Sequence, residues 1–370
     1  MMTPCADQRR PNCMVLPATR LSLVMAASII LLAIPFPASA QAEMSDRGCG
    51  IQQRNLESTF ARVKVDEHHD LKGILVLCNG RRISEAYFNG DNAGTLHDIR
   101  SATKSITATL MGIAIQQGFV HSVDDSIALY LPGLPLDGKQ SITIRDLLTM
   151  RSGLDADDED PKSPGNEDAL DSSSDWLKAA YAVPMKGLPG RTYQYCSLNA
   201  FLTGIIIENA VHMSLETFAK KNFFAPLGID HFEWAKGSGG RSKGQGNLSI
   251  RTQDLAAIGQ MYLDQGVFQG HRVVNSDWIE TSWSKLIPIL DKTKDPYADF
   301  YGYMWYFRDE PTGEKATPVH FASGNGGNKI YVVPSRHLVI AITSSAFSTN
   351  YGQRRSQNIL LSILTGTILN

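Results

Sequence analysis

Charge and cysteine are both scarce in this sequence. Charged residues occupy 19% of its 370 positions, the net charge is −2, and no lysine- and arginine-rich run interleaves with aromatic residues. A nucleic-acid-binding surface needs concentrated positive charge, so the composition argues against that class of partner. The five cysteines form no cysteine–histidine cluster with zinc spacing, which predicts a protein without a metal site.

Long apolar runs are also missing after residue 40, and the one strongly apolar stretch lies before it. Three arginines precede LSLVMAASIILLAIPF, and PASA follows with Ala38 and Ala40 at the spacing that signal peptidase uses. This pattern predicts a secretory signal peptide over residues 1–40. A membrane anchor is disfavoured, because the run is shorter than the roughly 20 residues of a span and is broken by Pro35 and, just after it, Pro37. The mature chain, residues 41–370, is expected to be periplasmic or secreted, with no stable membrane anchor.

Three cysteines remain after the predicted cleavage site: Cys49, Cys78 and Cys196. An odd number in an exported protein leaves at least one thiol unpaired or pairing elsewhere. A Cys49–Cys78 disulfide is one pairing that the sequence allows, and spacing alone does not decide it.

Strand patterns lie near both ends of the predicted mature chain, with helical patterns between them. GILVLC and RRISEAYF flank Asn79-Gly80, a dipeptide that favours a two-residue hairpin turn. Strand patterns return at YGYMWYF, NKIYVV and HLVIAITSS, and a helical insertion is predicted over about 124–283. This order predicts a single α+β domain with a sheet made from both chain ends and a cleft beside the helical part.

The segment HDIRSATKSITATLMGIAIQQGF places Ser101 three residues before Lys104 at the start of a predicted helix. Residues with that spacing share one helix face. A serine hydroxyl needs a neighbour that takes its proton, and a lysine amine can do this when it is neutral. Burial and the positive end of a helix both favour the neutral amine. The spacing is weak by itself, since SWSK at 282–285 repeats it.

Two further segments carry groups suited to acyl transfer. RTYQYCSLNAFLTGIIIE places Tyr195 just before a predicted helix, with Ser197 two residues later. A phenol beside a lysine can pass a proton to a leaving group, whereas the structural alternative is a packed tyrosine with Ser197 as the helix N-cap. HFASGNGGNKIYVVP places three glycines before a strand, where backbone N–H groups can approach a ligand. A plain hairpin turn is the alternative there.

These three segments, in this order, resemble the serine β-lactamase and penicillin-binding-protein family. The resemblance is strongest to the class C β-lactamase-related branch, which includes family VIII-type carboxylesterases and 6-aminohexanoate-oligomer hydrolases. SITIRDLLTMRSGL and LSIRTQDLAAIGQMYLDQGVF are similar too, so the resemblance covers about residues 72–365. It implies the β-lactamase/transpeptidase-like α+β fold, an antiparallel sheet flanked by helices with a helical subdomain.

The resemblance also implies roles for individual residues. Ser101 would be the acylated nucleophile, Lys104 its activating partner and Tyr195 the general acid/base. Ser197 stands where the family often has asparagine.

The third motif departs from the family pattern. Ala322-Ser323-Gly324 stands in place of Lys-Thr-Gly or His-x-Gly. Ser323 would supply the hydroxyl, and the N–H of Asn325 would join that of Ser101 in binding the oxyanion. Ala322 replaces a lysine that holds a substrate carboxylate, which removes roughly 1.5–3 kcal/mol of anchoring and disfavours β-lactams.

Two features near these motifs have open interpretations. His320, two residues before Ala322, could act in place of the missing lysine, and the alternative is an edge-strand histidine. DADDEDPKSPGNED, Asp155 to Asp168, is too acidic for a core element and lacks the glycine of a calcium loop. A solvated loop is the favoured interpretation, and a cleft-edge loop that repels anionic substrates is the alternative.

Together these residues predict an exported serine hydrolase that cleaves a small-molecule ester or amide through an acyl-enzyme on Ser101, without metal or organic cofactor. One alternative is a β-lactamase or D-Ala-type cell-wall peptidase that uses the same residues. A third candidate is a non-catalytic relative that binds peptidoglycan.

Overall fold

Strands from both ends of the chain meet in one antiparallel sheet. The computed structural model describes residues 49–65, 67–293 and 295–366. Its strands, in chain order, are β1 (Leu71–Cys78), β2 (Arg81–Tyr87), β3 (His97–Asp98), β4 (Glu233–Trp234), β5 (Leu248–Ile250), β6 (Val267–Phe268), β7 (His271–Arg272), β8 (Ile287–Pro288), β9 (Phe300–Tyr301), β10 (Tyr306–Pro311), β11 (Ala316–Gly324), β12 (Asn328–Val333) and β13 (Leu338–Ser344). Eight described strands form the main sheet in the order β2-β1-β13-β12-β11-β10-β9-β8. The predicted α+β plan is confirmed.

β1 and β2 form the N-terminal hairpin, and β1 also pairs with the last strand, β13. Asn79 and Gly80 both have positive φ, 49° and 73°, which matches the twist of the flanking strands. β1 then pairs antiparallel with β13 along its whole length. All residues of β12 and β13 are buried, as expected for central strands that are covered on both faces.

Helices surround this sheet and fill the middle of the chain. They are α1 (Gln53–Val63), α2 (Thr103–Gln116), α3 (Ile144–Leu148), α4 (Glu167–Asp171), α5 (Trp176–Ala182), α6 (Ser197–Val211), α7 (Leu215–Ala219), α8 (Thr252–Leu263), α9 (Ser276–Ser282) and α10 (Tyr351–Thr365). α2 is buried on every side from Thr103 to Ala114, and it packs against α6. A helix enclosed in this way is held rigidly, so the residues at its first turn are fixed with respect to α6.

The predicted signal peptide, residues 1–40, lies outside the described residues. Within the described part of the chain, no single helix has the length and apolar character of a membrane span. The bent pair Ser197–Val211 and Leu215–Leu227 meets those criteria only when its two helices are taken together.

A disulfide joins Cys49 to Cys78, and Cys196 is a buried free thiol. The bond ties the segment that leads into α1 to the end of β1, across a sequence separation of 29. The pairing that the sequence left open is thus the one found.

Replacing both Cys49 and Cys78 by serine is expected to lower the free energy of unfolding by about 3 kcal/mol, because a loop of this length is no longer closed in the unfolded chain. Urea unfolding with and without a thiol reductant measures this effect. The parent should lose stability when reduced, whereas the double variant should be insensitive to reductant. Equal stability of the oxidised parent and the double variant would contradict the expectation.

Candidate active site

The three sequence motifs converge on one cleft with a volume of about 1190 Å³. Ser101, Tyr195 and Ser323 line it, together with the acidic loop and the segment that contains β8. Three regions that are far apart in sequence therefore present their side chains to one space large enough for a small molecule.

Ser101 lies in a 3-10 turn, Arg100–Ala102, directly before α2. Arg100 adopts a left-handed backbone conformation with φ +51°, which is unfavourable for a residue with a side chain. Two contacts hold it: its N–H donates to Asp98 Oδ1 at 2.8 Å, and its guanidinium lies 4.1 Å from the ring centre of Phe347. Strain of this kind persists where surrounding contacts enforce it, and here it fixes the residue before the serine.

Lys104 is buried, and three oxygen atoms surround its amine. Its Nζ lies 2.9 Å from Ser101 Oγ and 3.0 Å from Ser197 Oγ. The third contact, at 2.8 Å, is with the carbonyl oxygen of Gln245. An ammonium has three N–H donors, so these oxygens can accept all of them. One amine thus links the first two motifs, although Lys104 and Ser197 are 93 residues apart.

Tyr195 completes this cluster. Ser101 and Lys104 both act on its hydroxyl in the direction that lowers its pKa, and the Lys104 Nζ lies 5.2 Å from its ring centre. The ring packs edge-on against Tyr301 of β9, with 6.5 Å between the ring centres. Because the sheet supports the ring, the phenol oxygen is fixed beside the serine hydroxyl.

The electrostatics of Lys104 differ from the sequence expectation. Burial alone lowers the pKa of Lys104, but the acidic groups of Tyr195, Glu167 and Asp158 outweigh burial and raise it. Burial raises the pKa of Tyr195, and the charge of Lys104 only partly opposes this. The resting pair is therefore an ammonium and a neutral phenol. The sequence argument considered burial and the helix start, and the structure adds neighbouring acids that act in the opposite direction.

The two carboxylic acids among these groups come from the acidic loop, so its interpretation as a solvated loop is wrong for those two residues. Asp158 and Glu167 line the cleft and are partly buried. Burial raises the pKa of both carboxyl groups, while Lys104 opposes the rise. The sequence signal for an ordered loop is the set of turn-forming residues within DADDEDPKSPGNED. One of them, Asn166, caps the start of α4.

Asp158 also fixes the start of α6. Cys196 occupies the N-cap position, where its side chain makes no capping bond. The N–H of Ser197 instead donates to Asp158 Oδ2 at 2.7 Å, so a residue from another loop supplies the capping oxygen. Ser197 is the first helical residue, not the N-cap, and its hydroxyl is left to contact Lys104.

The third motif forms the end of β11 and the turn after it. Gln353 Nε2 donates to the carbonyl oxygen of Gly324 at 2.8 Å, and the N–H of Ser348 donates to Asn325 Oδ1 at 2.8 Å. Among the described residues, the N–H of Asn325 meets no hydrogen-bond acceptor. Ser323 and Asn325 both line the cleft. The turn thus presents a fixed and unpaired donor at the cleft.

Gly324 permits the close approach of β11 to the turn that carries Ser101. A Cβ at this position would overlap the carbonyl oxygen of Ile99, which belongs to the backbone and cannot rotate away.

Gly324→Ala is expected to lower kcat/KM for any hydrolysed ester by about 10²–10³, the cost of losing one oxyanion donor. Gly187→Ala is the matched control, because an added Cβ meets nothing within 4 Å there. A loss below threefold for Gly324→Ala would show that the close approach does not matter.

His320 does not lie in the cleft, and the structure does not bring it to the other site residues. Its ring packs 4.4 Å from that of Trp283 and 5.1 Å from that of Phe307, centre to centre. Burial lowers the pKa of His320 to about 4, so it is neutral at ordinary pH. It is a packing residue of β11 and does not replace the missing lysine.

Lys329 of β12 was not singled out by the sequence motifs, yet it lines the cleft. It pairs directly with Ser323 across the two strands, and its Nζ lies 2.8 Å from Ser323 Oγ. From the sequence alone, Lys329 is only one residue of the predicted strand NKIYVV, and no motif marks it as part of a site. Strand register alone places its amine in this wall, and a single sequence does not reveal that register.

Metal ligands are not grouped in the part of the chain that the structure describes. No set of three or more histidine, cysteine, aspartate or glutamate residues there is arranged to hold an ion. Two acidic residues of the cleft, Asp158 and Glu167, instead act on the charge of Lys104.

Comparison with known proteins agrees with this geometry. The family model for beta-lactamase matches residues 65–363. The chain belongs to the β-lactamase family. The resemblance drawn from the three motifs is confirmed, and the matched range contains all of them.

Individual relatives of this β-lactamase-family chain are distant. Over 219 residues it is 26% identical to the 6-aminohexanoate-dimer hydrolase of Paenarthrobacter ureafaciens. The aligned region covers 56% of this chain and 55% of that protein. The chain matches about half the length of the curated relatives it resembles.

Solved structures show the same fold. A class C beta-lactamase superimposes with a TM-score of 0.65 at 15% identity, over 86% of this chain and 96% of that one. The octameric penicillin-binding protein homologue from Pyrococcus abyssi gives 0.65 at 20% identity, over 86% and 79%. The β-lactamase/transpeptidase-like fold is confirmed.

Proposed function

We propose that this chain is a serine hydrolase that cleaves a small-molecule ester or amide through an acyl-enzyme on Ser101. The observation that carries the proposal is the buried amine of Lys104, which contacts the hydroxyls of Ser101 and Ser197 and lies 5.2 Å from the ring centre of Tyr195. A serine held by a lysine and a tyrosine in a cleft is an activated nucleophile, and a purely structural hydroxyl needs no such partners.

The first half-reaction forms the acyl-enzyme. Ser101 Oγ bonds to the substrate carbonyl carbon, and its proton passes to the Tyr195–Lys104 pair. The negative charge moves to the carbonyl oxygen, where the N–H groups of Ser101 and Asn325 would hold it. The bond to the leaving group then breaks, and the leaving atom takes the proton from the pair.

The second half-reaction releases the acid. Water attacks the ester carbon on Ser101, and the Tyr195–Lys104 pair takes a proton from that water. Collapse of the second tetrahedral species breaks the bond to Ser101 Oγ, which regains the proton. The cycle consumes one water and leaves the protein unchanged.

This mechanism gives a pH dependence with a definite sign. Neighbouring acids raise the pKa of Lys104 and burial raises that of Tyr195, so the resting pair carries one proton too many to act as a base. For an uncharged ester, kcat/KM is expected to rise from pH 6 to pH 9, by up to about tenfold per pH unit. Initial rates corrected for spontaneous hydrolysis measure this. A profile that falls over the same range would contradict the assignment of the pair.

A second candidate activity uses the same residues on β-lactams or cell-wall D-Ala peptides. The amine of Lys329 beside Ser323 favours it, since a cation in this wall suits a substrate carboxylate. Hydrolysis of a chromogenic cephalosporin, compared with uncharged nitrophenyl esters, separates the two candidates.

We also propose that the protein is exported. The composition of residues 1–40 supports this, as does the Cys49–Cys78 disulfide, since such bonds persist in oxidising compartments. Mass spectrometry of the protein recovered from a periplasmic extract or medium tests it. A mature N-terminus at Gln41 is expected, and an intact leader on cytoplasmic protein would overturn the proposal.

The experiment that tests the main proposal is a panel of nitrophenyl esters, D-amino-acid amides, linear amide oligomers and a cephalosporin. We expect turnover of at least one ester or amide, and its loss in Ser101→Ala. No turnover of any member, together with tight binding of peptidoglycan fragments, would favour the non-catalytic relative instead.

A further inference from the structure

A second amine lies in the cleft, and the mechanism above does not use it. Lys329 is only 2% exposed, and its Nζ contacts Ser323 Oγ at 2.8 Å. The rings of Phe321 and Tyr331 flank the amine, with their centres 4.7 and 5.8 Å from it. Ser323 and Lys329 are direct cross-strand partners, so both side chains project from the same face of the sheet.

The charge of Lys329 is not neutralised nearby. Among the described residues, no carboxylate lies within ion-pair distance of its Nζ. The acids that act on it are Asp295, before β9, and Glu310, on β10. Glu310 Oε1 already lies 3.4 Å from Arg308 Nε. A buried ammonium without a counter-ion is costly, which suggests that its partner arrives with the substrate.

Hydrogen-bond polarity shows how this charge reaches the cleft. A protonated lysine has donors only, so Ser323 Oγ must accept from Lys329. The hydroxyl proton of Ser323 is then left to donate elsewhere. Its one other contact, with Gln353 Oε1, is long at 3.4 Å, and Ser323 lines the cleft. An acceptor in the cleft can therefore take that proton in a shorter bond.

We propose that Lys329 turns Ser323 into a charge-assisted donor for a carboxylate on the substrate, so that the cleft selects esters or amides that carry one. This inference rests on the proposed function and names its substrate class. The missing charge at Ala322 does not remove the cation from this wall, because the neighbouring strand restores it. Ala322 itself is fully buried, and it lies between Phe321 and Ser323, whose side chains line the cleft from the other face of β11.

The preference is expected to depend on pH with a fixed sign. Burial lowers the pKa of Lys329 to about 7, and Asp295 and Glu310 only partly oppose this. Below about pH 7 the amine is charged and Ser323 must donate outward. Above that pH the neutral amine can accept the proton of Ser323, and the preference for a carboxylate is lost.

Two pairs of matched esters test the proposal. One pair is the mono-4-nitrophenyl ester of glutaric acid and its terminal carboxamide, and the other is 4-acetoxybenzoate and 4-acetoxybenzamide. The pairs place the carboxylate on the acyl side and on the leaving-group side. The quantity measured is the ratio of kcat/KM, carboxylate over carboxamide, at pH 6 and pH 8.5.

We expect at least one pair to show a ratio that Lys329→Met lowers about tenfold to hundredfold at pH 6, mainly through KM. Ser323→Ala should lower the same ratio, and in the parent the ratio should fall between pH 6 and 8.5. Lys72→Met is the matched control, since Lys72 also lies in the sheet but does not line the cleft. Ratios that neither Lys329→Met nor pH alters would overturn the proposal.

A binding measurement separates this inference from the proposed function. 3-Carboxyphenylboronic acid and phenylboronic acid both form reversible adducts with an activated serine, and a thermal shift reports them without turnover. Tighter binding of the carboxylate compound by the parent, lost in Ser323→Ala, supports the inference even if Lys329→Met fails to fold. Binding of both compounds without preference overturns the inference alone. Binding of neither compound overturns the proposed function.

Discussion

Ser101→Ala is expected to lower kcat/KM by at least about 10⁴-fold on every substrate that the parent hydrolyses. The reason is that the bond to the acyl group forms on Ser101 Oγ, which lies 2.9 Å from the buried amine of Lys104 and interacts with the phenol of Tyr195. Loss of a covalent nucleophile typically costs this much or more, with the residual rate due to binding and the oxyanion site. Initial rates with uncharged nitrophenyl esters measure it.

The second Ser-x-x-Lys sequence supplies the control for this experiment. Ser282 is fully buried in α9, where its hydroxyl donates to the carbonyl oxygen of Trp278 at 2.6 Å. Ser282→Ala should retain parental kinetics within a few-fold. Circular dichroism and the melting temperature should show that Ser101→Ala folds as the parent does. Parental rates in a folded Ser101→Ala protein would eliminate the mechanism.

Lys104→Ala and Tyr195→Phe are each expected to reduce kcat by about 10²–10⁴, the usual contribution of a positioned proton-transfer group. Lys104→Ala removes the amine that joins Ser101 to Ser197, and Tyr195→Phe removes only an oxygen. The double variant should lose less than the product of the two single losses, because the two groups act as one unit.

Two controls make this result specific. Tyr130→Phe removes a phenol that donates to Asp125 outside the cleft, and it should leave rates within a few-fold. Lys104→Ala also leaves Asp158 and Glu167 without their neighbouring cation, so its stability must be measured alongside its rate. A loss below tenfold on all substrates for either active-site variant would mean that its assigned role is wrong.

Local patterns were enough to predict much of the fold. The segment SLNAFLTGIIIENAV coincides with α6, and NKIYVV coincides with β12. Such elements can be predicted because they contain a run of apolar residues, and turn-forming residues lie beyond their ends.

The electrostatics of the site could not be predicted in the same way. The pKa of Lys104 depends on Asp158 and Glu167, which a loop of turns brings to the cleft. The amine of Lys329 reaches Ser323 through strand register. Both depend on contacts between segments that no spacing rule connects. Motif order was sufficient to find Ser101, Lys104 and Tyr195 as neighbours, but not the charges around them.

The central claim is that a substrate becomes covalently attached to Ser101. Rapid acid quenching during turnover of a slowly released ester, followed by peptide mapping with mass spectrometry, tests this most directly. We predict a mass increase equal to the acyl group on the peptide that contains Ser101, absent from Ser101→Ala. An acyl group found on another residue, or steady turnover in which no acyl-protein ever accumulates with any slow substrate, would contradict the mechanism.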